Sequence, residues 1–181
     1  MDGLSSLRGR TITLVGMMGV GKSTIGRRLA MALDLPFRDA DEEIERAAGC
    51  SIPEIFAQRG EAEFRAGEQR VIGRLLDQPP HVLATGGGAF MSEETRALIA
   101  KTAISVWLRA DIDVLIRRVG KRENRPLLKG RNVRDVLTAL MVERDPTYAL
   151  ADMVVETGDG PHQAAVDAII AGLQARLEGA S

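Results

Sequence analysis

This chain predicts a three-layer, doubly wound α/β fold, with helices on both faces of a mostly parallel sheet of about five strands. Three observations carry the prediction. Short apolar runs alternate with segments of helical periodicity from one end of the chain to the other. The clearest of those runs is short, apolar and rich in β-branched residues and stops at glycine, as a buried parallel strand would. No internal repeat, low-complexity stretch or linker interrupts the 181 residues, so one domain over 1–181 is expected.

In order, residues 1–9 are polar and aperiodic and read as a short flexible tail. TITLV at 11–15 is a buried-strand pattern that stops at Gly16, and Ile25, Leu29, Ala30 and Leu33 then recur at helical spacing. A strand over 36–39 leads to a helix over 41–48. Ser51 with Glu54 forms a capping-box pattern that opens another helix, with Pro53 tolerated in its first turn. A helix over 63–76, a strand over 81–85, a helix capped by Ser92 and ending near Lys101, and a strand over 103–108 follow. The remainder reads as helix 111–119, charged loop 120–131, helix 132–144, strand 153–155 and helix 163–177. Pro126 and Pro146 read as breakers at helix boundaries.

Composition narrows the function classes. Lys plus Arg number 24 against 25 Asp plus Glu, so no net basic field invites nucleic acid or a membrane surface. Cys50 is the only cysteine, which removes internal disulfides and multi-cysteine metal sites. No apolar run approaches the ~20 residues of a spanning helix, and MDGLSSLRGR has no signal-peptide core. A cytoplasmic domain is expected, and the balanced surface without an apolar stripe points to a monomer.

The sequence from Gly16 to Ser23, GMMGVGKS, fits G-x-x-x-x-G-K-[ST] and lies between a strand and a helix. Glycines let successive N–H groups turn toward an anion, and the helix adds its positive end. Gly19, Val20, Gly21, Lys22, Ser23 and Thr24 are therefore the candidate nucleotide-phosphate contacts, with the Ser23 hydroxyl able to ligate Mg²⁺. GTPases, motor ATPases and small-molecule kinases all use such a loop. The Asn-Lys-x-Asp guanine reader is missing and the chain is short for a motor, which favours a small kinase.

Five further clusters stand out: Asp39-Ala40-Asp41 at a strand end, Phe64-Arg65-x-x-Glu68, Thr85-Gly86-Gly87-Gly88-Ala89, Arg125-Pro126-Leu127-Leu128, and Arg144-Asp145-Pro146-x-Tyr148. Each alone has an ordinary reading as a cap, surface ion pair, turn or breaker. Taken in order, with the GMMGVGKST loop, they resemble the shikimate kinase family from Thr11 to about Leu177.

The resemblance implies a fold like that of nucleoside monophosphate kinases with a mobile lid over 120–131. It also implies transfer of the ATP γ-phosphate to the 3-hydroxyl of shikimate, in the pathway to chorismate and aromatic amino acids. By the same resemblance, Lys22 and Ser23 hold phosphate and Mg²⁺, with Asp39 near the metal, and Asp41 orients the attacking hydroxyl. Arg65 and Arg144 clamp the carboxylate with backbone N–H groups of the Gly86–Gly88 turn. Arg125 covers the transferring phosphate, and Arg118 packs on adenine. The chemistry is consistent: guanidinium groups match a carboxylate bidentately, and an Asp accepts from two hydroxyls.

The loop from Thr157 to Pro161, TGDGP, departs from the family, whose members often carry a long side chain there, so mostly backbone contacts to adenine are expected. His81 and His162 read as structural or solvated, and Trp107 as core. Met17 and Met18 fill open positions of the motif. Two other readings remain: a related kinase such as a gluconate kinase, and a nucleotide-binding regulatory module without catalysis. The second should lack one of Lys22, Asp41, Arg65, Arg125 or Arg144, and all five are present.

Overall fold

The computed structural model describes residues 9–120 and 128–179. Five parallel strands form one sheet: β1 (Thr11–Val15), β2 (Phe37–Asp39), β3 (Val82–Ala84), β4 (Ala103–Arg109) and β5 (Met153–Glu156), in the order β2-β3-β1-β4-β5. Register pairs Ile12 with Val82 on one side of β1 and with Ile104 on the other. Every residue of β1 is buried, Thr11 and Thr13 included, as expected of a strand covered on both faces.

Among the described residues, seven α-helices accompany the sheet: α1 (Lys22–Leu33), α2 (Ala40–Ala48), α3 (Ile52–Leu76), α4 (Glu93–Thr102), α5 (Ile112–Val119), α6 (Val133–Tyr148) and α7 (His162–Gly179). Their apolar faces close a core through Ile25, Leu29, Ile72, Leu75, Ile99, Leu115, Leu137, Val166 and Ile169. The sheet order reverses direction at β1, so a crevice opens beyond the carboxyl ends of the strands around it. No described helix is long and apolar enough to cross a membrane.

Several boundaries differ from the sequence reading. The two helices expected after Ser51 are present and run on from one another within α3, divided by a kink at Gly60, whose φ of 81° and ψ of 172° are not helical. Ser51 does form the expected capping box with Glu54. Pro146 does not end α6, which runs on to Tyr148. A proline one turn from a helix end forfeits a single hydrogen bond, and burial of Tyr148 offsets that loss. His81 precedes rather than begins its strand; it is buried, with Nδ1 2.9 Å from the Pro79 carbonyl oxygen. Of the expected lid over 120–131, residues 121–127 lie outside the described residues, as do residues 1–8 of the expected tail.

β1 leaves the sheet at Gly16, where φ is 140° and a Cβ would lie 2.4 Å from the Leu108 carbonyl oxygen on β4. Only glycine lets the chain turn so close to its neighbouring strand. Gly16→Ala is expected to destabilise the fold by about 1–3 kcal/mol. Urea unfolding followed by fluorescence of Trp107, the single tryptophan, measures it; an unchanged midpoint would refute the close-approach argument.

Candidate active site

Lys22 opens α1, and its ammonium donates to the carbonyl oxygens of Gly16 at 2.7 Å and Met17 at 2.9 Å. The charge is thus held over the start of the loop. The helix cap is Gly21, at φ 101°, and no side chain caps its amides. An anion seated there meets both the lysine and the positive end of α1.

Asp39 does two things at the end of β2. Its Oδ1 accepts from the backbone N–H groups of Asp41 at 3.0 Å and Glu42 at 3.3 Å, capping α2. Its Oδ2 accepts the Ser23 hydroxyl at 2.5 Å. Two hard oxygen groups therefore meet beside Lys22. That donor set suits Mg²⁺, which takes one or two protein oxygens and completes its shell with phosphate and water.

Two residues later, Asp41 lines the same space, where burial and the neighbouring Asp39 charge push its carboxyl up to about 6, against the pull of Lys22. Glu68 and Glu45 add smaller pushes.

The residues around Arg65 and Arg144 come from four distant segments. Arg65 lies on α3 and donates to Glu68 at 2.8 Å, with its guanidinium over the Phe64 ring. Arg144, on α6, is buried, and its Nε has no hydrogen-bond partner among the described residues. Both guanidinium groups press on the glycine turn. A Cβ on Gly88 would lie 2.4 Å from Arg65 Nη2, and one on Gly87 would lie 3.3 Å from Arg144 Nη1. Gly86 is confined by Asp41 Oδ1 and Glu68 Oε2, each 3.0 Å from where its Cβ would be. The three glycines thus lie in close contact with charged side chains. Burial raises the Glu68 carboxyl, and Arg65 and then Arg144 oppose the rise.

Two clefts result. One is lined by Gly19, Gly21, Lys22, Ser23, Thr24 and Arg118; Asp41, Arg65, Glu68, Gly88 and Arg144 line the other. They meet at Met18, Ser23, Asp39, Asp41, Gly86 and Gly87, which line both. Val20 is buried behind the loop, where its carbonyl accepts from Arg118 at 2.9 Å. Arg118 also donates to the Gly158 carbonyl at 2.5 Å, tying the phosphate loop to the 157–161 loop. Arg125 lies outside the described residues.

Sequence reasoning passed over three residues here. His162, read as structural or solvated, lines the nucleotide-side cleft with its ring beside Gly21. Arg117 and Asp159 form an ion pair at the same rim. Nothing in the local pattern separates them from surface charges; only the approach of the α7 start to the phosphate loop does. Trp107 is core, as expected.

Comparison with known proteins identifies the family. The family model described as shikimate kinase matches residues 18–174. A shikimate kinase of Caulobacter vibrioides is 62% identical over 96% of this chain and 86% of its own length. A structure of the shikimate kinase from Acinetobacter baumannii in complex with shikimate superposes with a TM-score of 0.91 at 36% identity, covering 96% of this chain and 98% of the other. A gluconokinase from Sinorhizobium meliloti reaches a TM-score of 0.64 at 22% identity, covering 94% of each chain, a likeness of fold alone. Matches of this extent, in sequence and in three dimensions, place the chain in the shikimate kinase family.

Proposed function

We propose that this chain transfers the γ-phosphoryl group of ATP to the 3-hydroxyl of shikimate, giving shikimate 3-phosphate and ADP. The observation that carries the reading is the junction of the two clefts at Ser23, Asp39 and Asp41, with two arginines across the acceptor cleft from the phosphate loop. One site suits a triphosphate and the other a small anionic polyol, and they share one wall.

In this reading Lys22 and the amides at the start of α1 hold the phosphates. Ser23 and Asp39 hold Mg²⁺, which when bound with ATP screens the charge that builds on the phosphate oxygens. Arg65 and Arg144 take the shikimate carboxylate as planar, charge-assisted pairs. Asp41 accepts from the ring hydroxyls and aims one at the γ-phosphorus. As the new P–O bond forms, the bond to the β-phosphate oxygen breaks, and the hydroxyl proton passes to Asp41 and on to solvent. A carboxyl raised to about 6 is a stronger base than an ordinary aspartate yet stays ionised near neutrality. Arg125 enters on the R-P-L-L motif, as a cation that would cover the transferring group. A cytoplasmic monomer fits the near-neutral composition.

Purified protein with ATP and Mg²⁺ in a coupled ADP-release assay should turn over shikimate and not gluconate. Activity on gluconate alone would sink the proposal.

The Arg65→Ala variant should raise the KM for shikimate more than tenfold, since removing one partner of a desolvated pair costs ~2–5 kcal/mol. The KM for ATP should stay within about twofold. Equal loss on both substrates would remove Arg65 from the clamp.

Asp41 ties activity and stability to pH in opposite senses. The ionised form is required, so kcat/KM should fall as pH drops through about 6. The folded chain holds its proton more tightly than the unfolded one, whose carboxyl titrates near 3.8. Stability therefore declines as pH rises from about 4 to 6, and the cost is complete above 6. Asp41→Asn should abolish turnover and stabilise the fold by up to ~3 kcal/mol at pH 7.5, with the gain vanishing below pH 4. Thermal unfolding at the two pH values decides; a variant equally stable relative to wild type at both refutes it.

A further inference from the structure

We propose that Tyr148 is a positioning residue for acceptor binding, holding the Gly87–Gly88 peptide so that its N–H faces the acceptor cleft. The inference rests on the function proposed above and concerns a residue that those roles leave unused. Tyr148 ends α6 and is fully buried. Its ring packs on Trp107 with centroids 5.8 Å apart and an interplanar angle of 31°. Its hydroxyl donates to the Gly87 carbonyl oxygen, 61 residues away in sequence. The positive charge of Arg144 acts on the same phenol.

The geometry of a peptide turns this contact into an orientation. No peptide bond among the described residues is cis. In a planar trans unit the C=O of one residue and the N–H of the next point in opposite directions. Anchoring the Gly87 oxygen on a buried phenol therefore directs the Gly88 N–H away from Tyr148, on a residue that lines the acceptor cleft beside Arg65. With glycine on both sides, this peptide has no Cβ to resist rotation. The restraint must come from outside, and Tyr148 supplies it.

The phenol is well suited to the task. Burial pushes its ionisation up to about 12, so it keeps its proton and remains a donor at any pH where the fold persists. The extension of α6 past Pro146 also acquires a reason, since a helix stopped at Arg144 would not bring Tyr148 beneath the turn.

The experiment compares Tyr148→Phe, which keeps the ring and loses the hydroxyl, with Trp107→Phe, which disturbs the packing and leaves the hydroxyl. Tyr148→Phe should raise the KM for shikimate about tenfold while kcat and the KM for ATP stay within about twofold, the scale of one lost hydrogen bond to a charged or buried group. Trp107→Phe should lower Tm without that selective rise. Unchanged shikimate KM in a folded Tyr148→Phe, equal loss on both substrates, or the same selective rise in Trp107→Phe overturns the inference.

A measurement on the unmodified chain stands independently of any variant's folding. With ¹⁵N-glycine labelling, saturating shikimate should shift the Gly88 amide, and an unmoved Gly88 resonance overturns the proposal. Wild-type protein that fails to turn over shikimate removes the functional reading and this inference together. Wild-type turnover with an unaffected Tyr148→Phe removes the inference alone.

Discussion

The divided carboxylate of Asp39 is the constraint on which the site depends. One oxygen caps α2 and the other takes the Ser23 hydroxyl, so a single side chain ties the end of β2, the start of α2 and the first turn of α1. The cap sets the direction of α2 and, with it, where Asp41 points. The Ser23 bond sets the distance between that helix and the phosphate loop. Lose either and the two clefts no longer share a wall. A glutamate could not do both, because its longer side chain would carry the carboxylate away from the Asp41 and Glu42 amides it must meet.

The cleft lined by Arg65 and Arg144 is built from charges that burial makes costly. Asp41 and Glu68 converge on Gly86, Arg65 covers Gly88, and Arg144 sits against Gly87. The Glu68 Oε2 and the Arg144 Nε have no hydrogen-bond partners among the described residues. Buried groups left in this state lower stability. Their cost is carried by a core that includes Ile12, Leu14, Leu83 and Leu108, each with no exposed surface. In the proposed function, a carboxylate and hydroxyls arriving in the cleft would satisfy some of these groups at once and so contribute to binding energy.

Much of the fold was legible because its signals are local. The TITLV run, the glycines at the turn into α1 and the Ser51–Glu54 box each specify backbone by short-range chemistry, and the structure places them as expected. That the phosphate-loop residues line one cleft and Arg65 and Arg144 another was foreshadowed by a motif and by clusters whose order resembles a family. What was hidden depends on contacts across long sequence separation. The run of α6 through Pro146 is held by Tyr148 reaching Gly87, and His162 enters the nucleotide-side cleft because α7 begins beside Gly21. The raised carboxyl of Asp41 likewise comes from burial and from neighbours on other elements, which no window of sequence displays.

The glycine turn joins these arguments. A carboxylate binding site made only of arginines would attract any small anion, phosphate included, because guanidinium groups match both. Discrimination needs donors of fixed direction, and backbone amides provide them only if their peptides cannot rotate. At residues 86–88 the side chains are absent, so guanidinium groups can approach to distances that a Cβ would forbid. The same absence leaves the backbone loose. Rigidity then has to be imposed from behind, by a group that is itself immobile and always protonated. A fully buried tyrosine at the end of a helix, stacked on a core tryptophan, meets both conditions. The close approach of charge and the rigidity of the amides are separate requirements, met by different residues on opposite sides of one short turn.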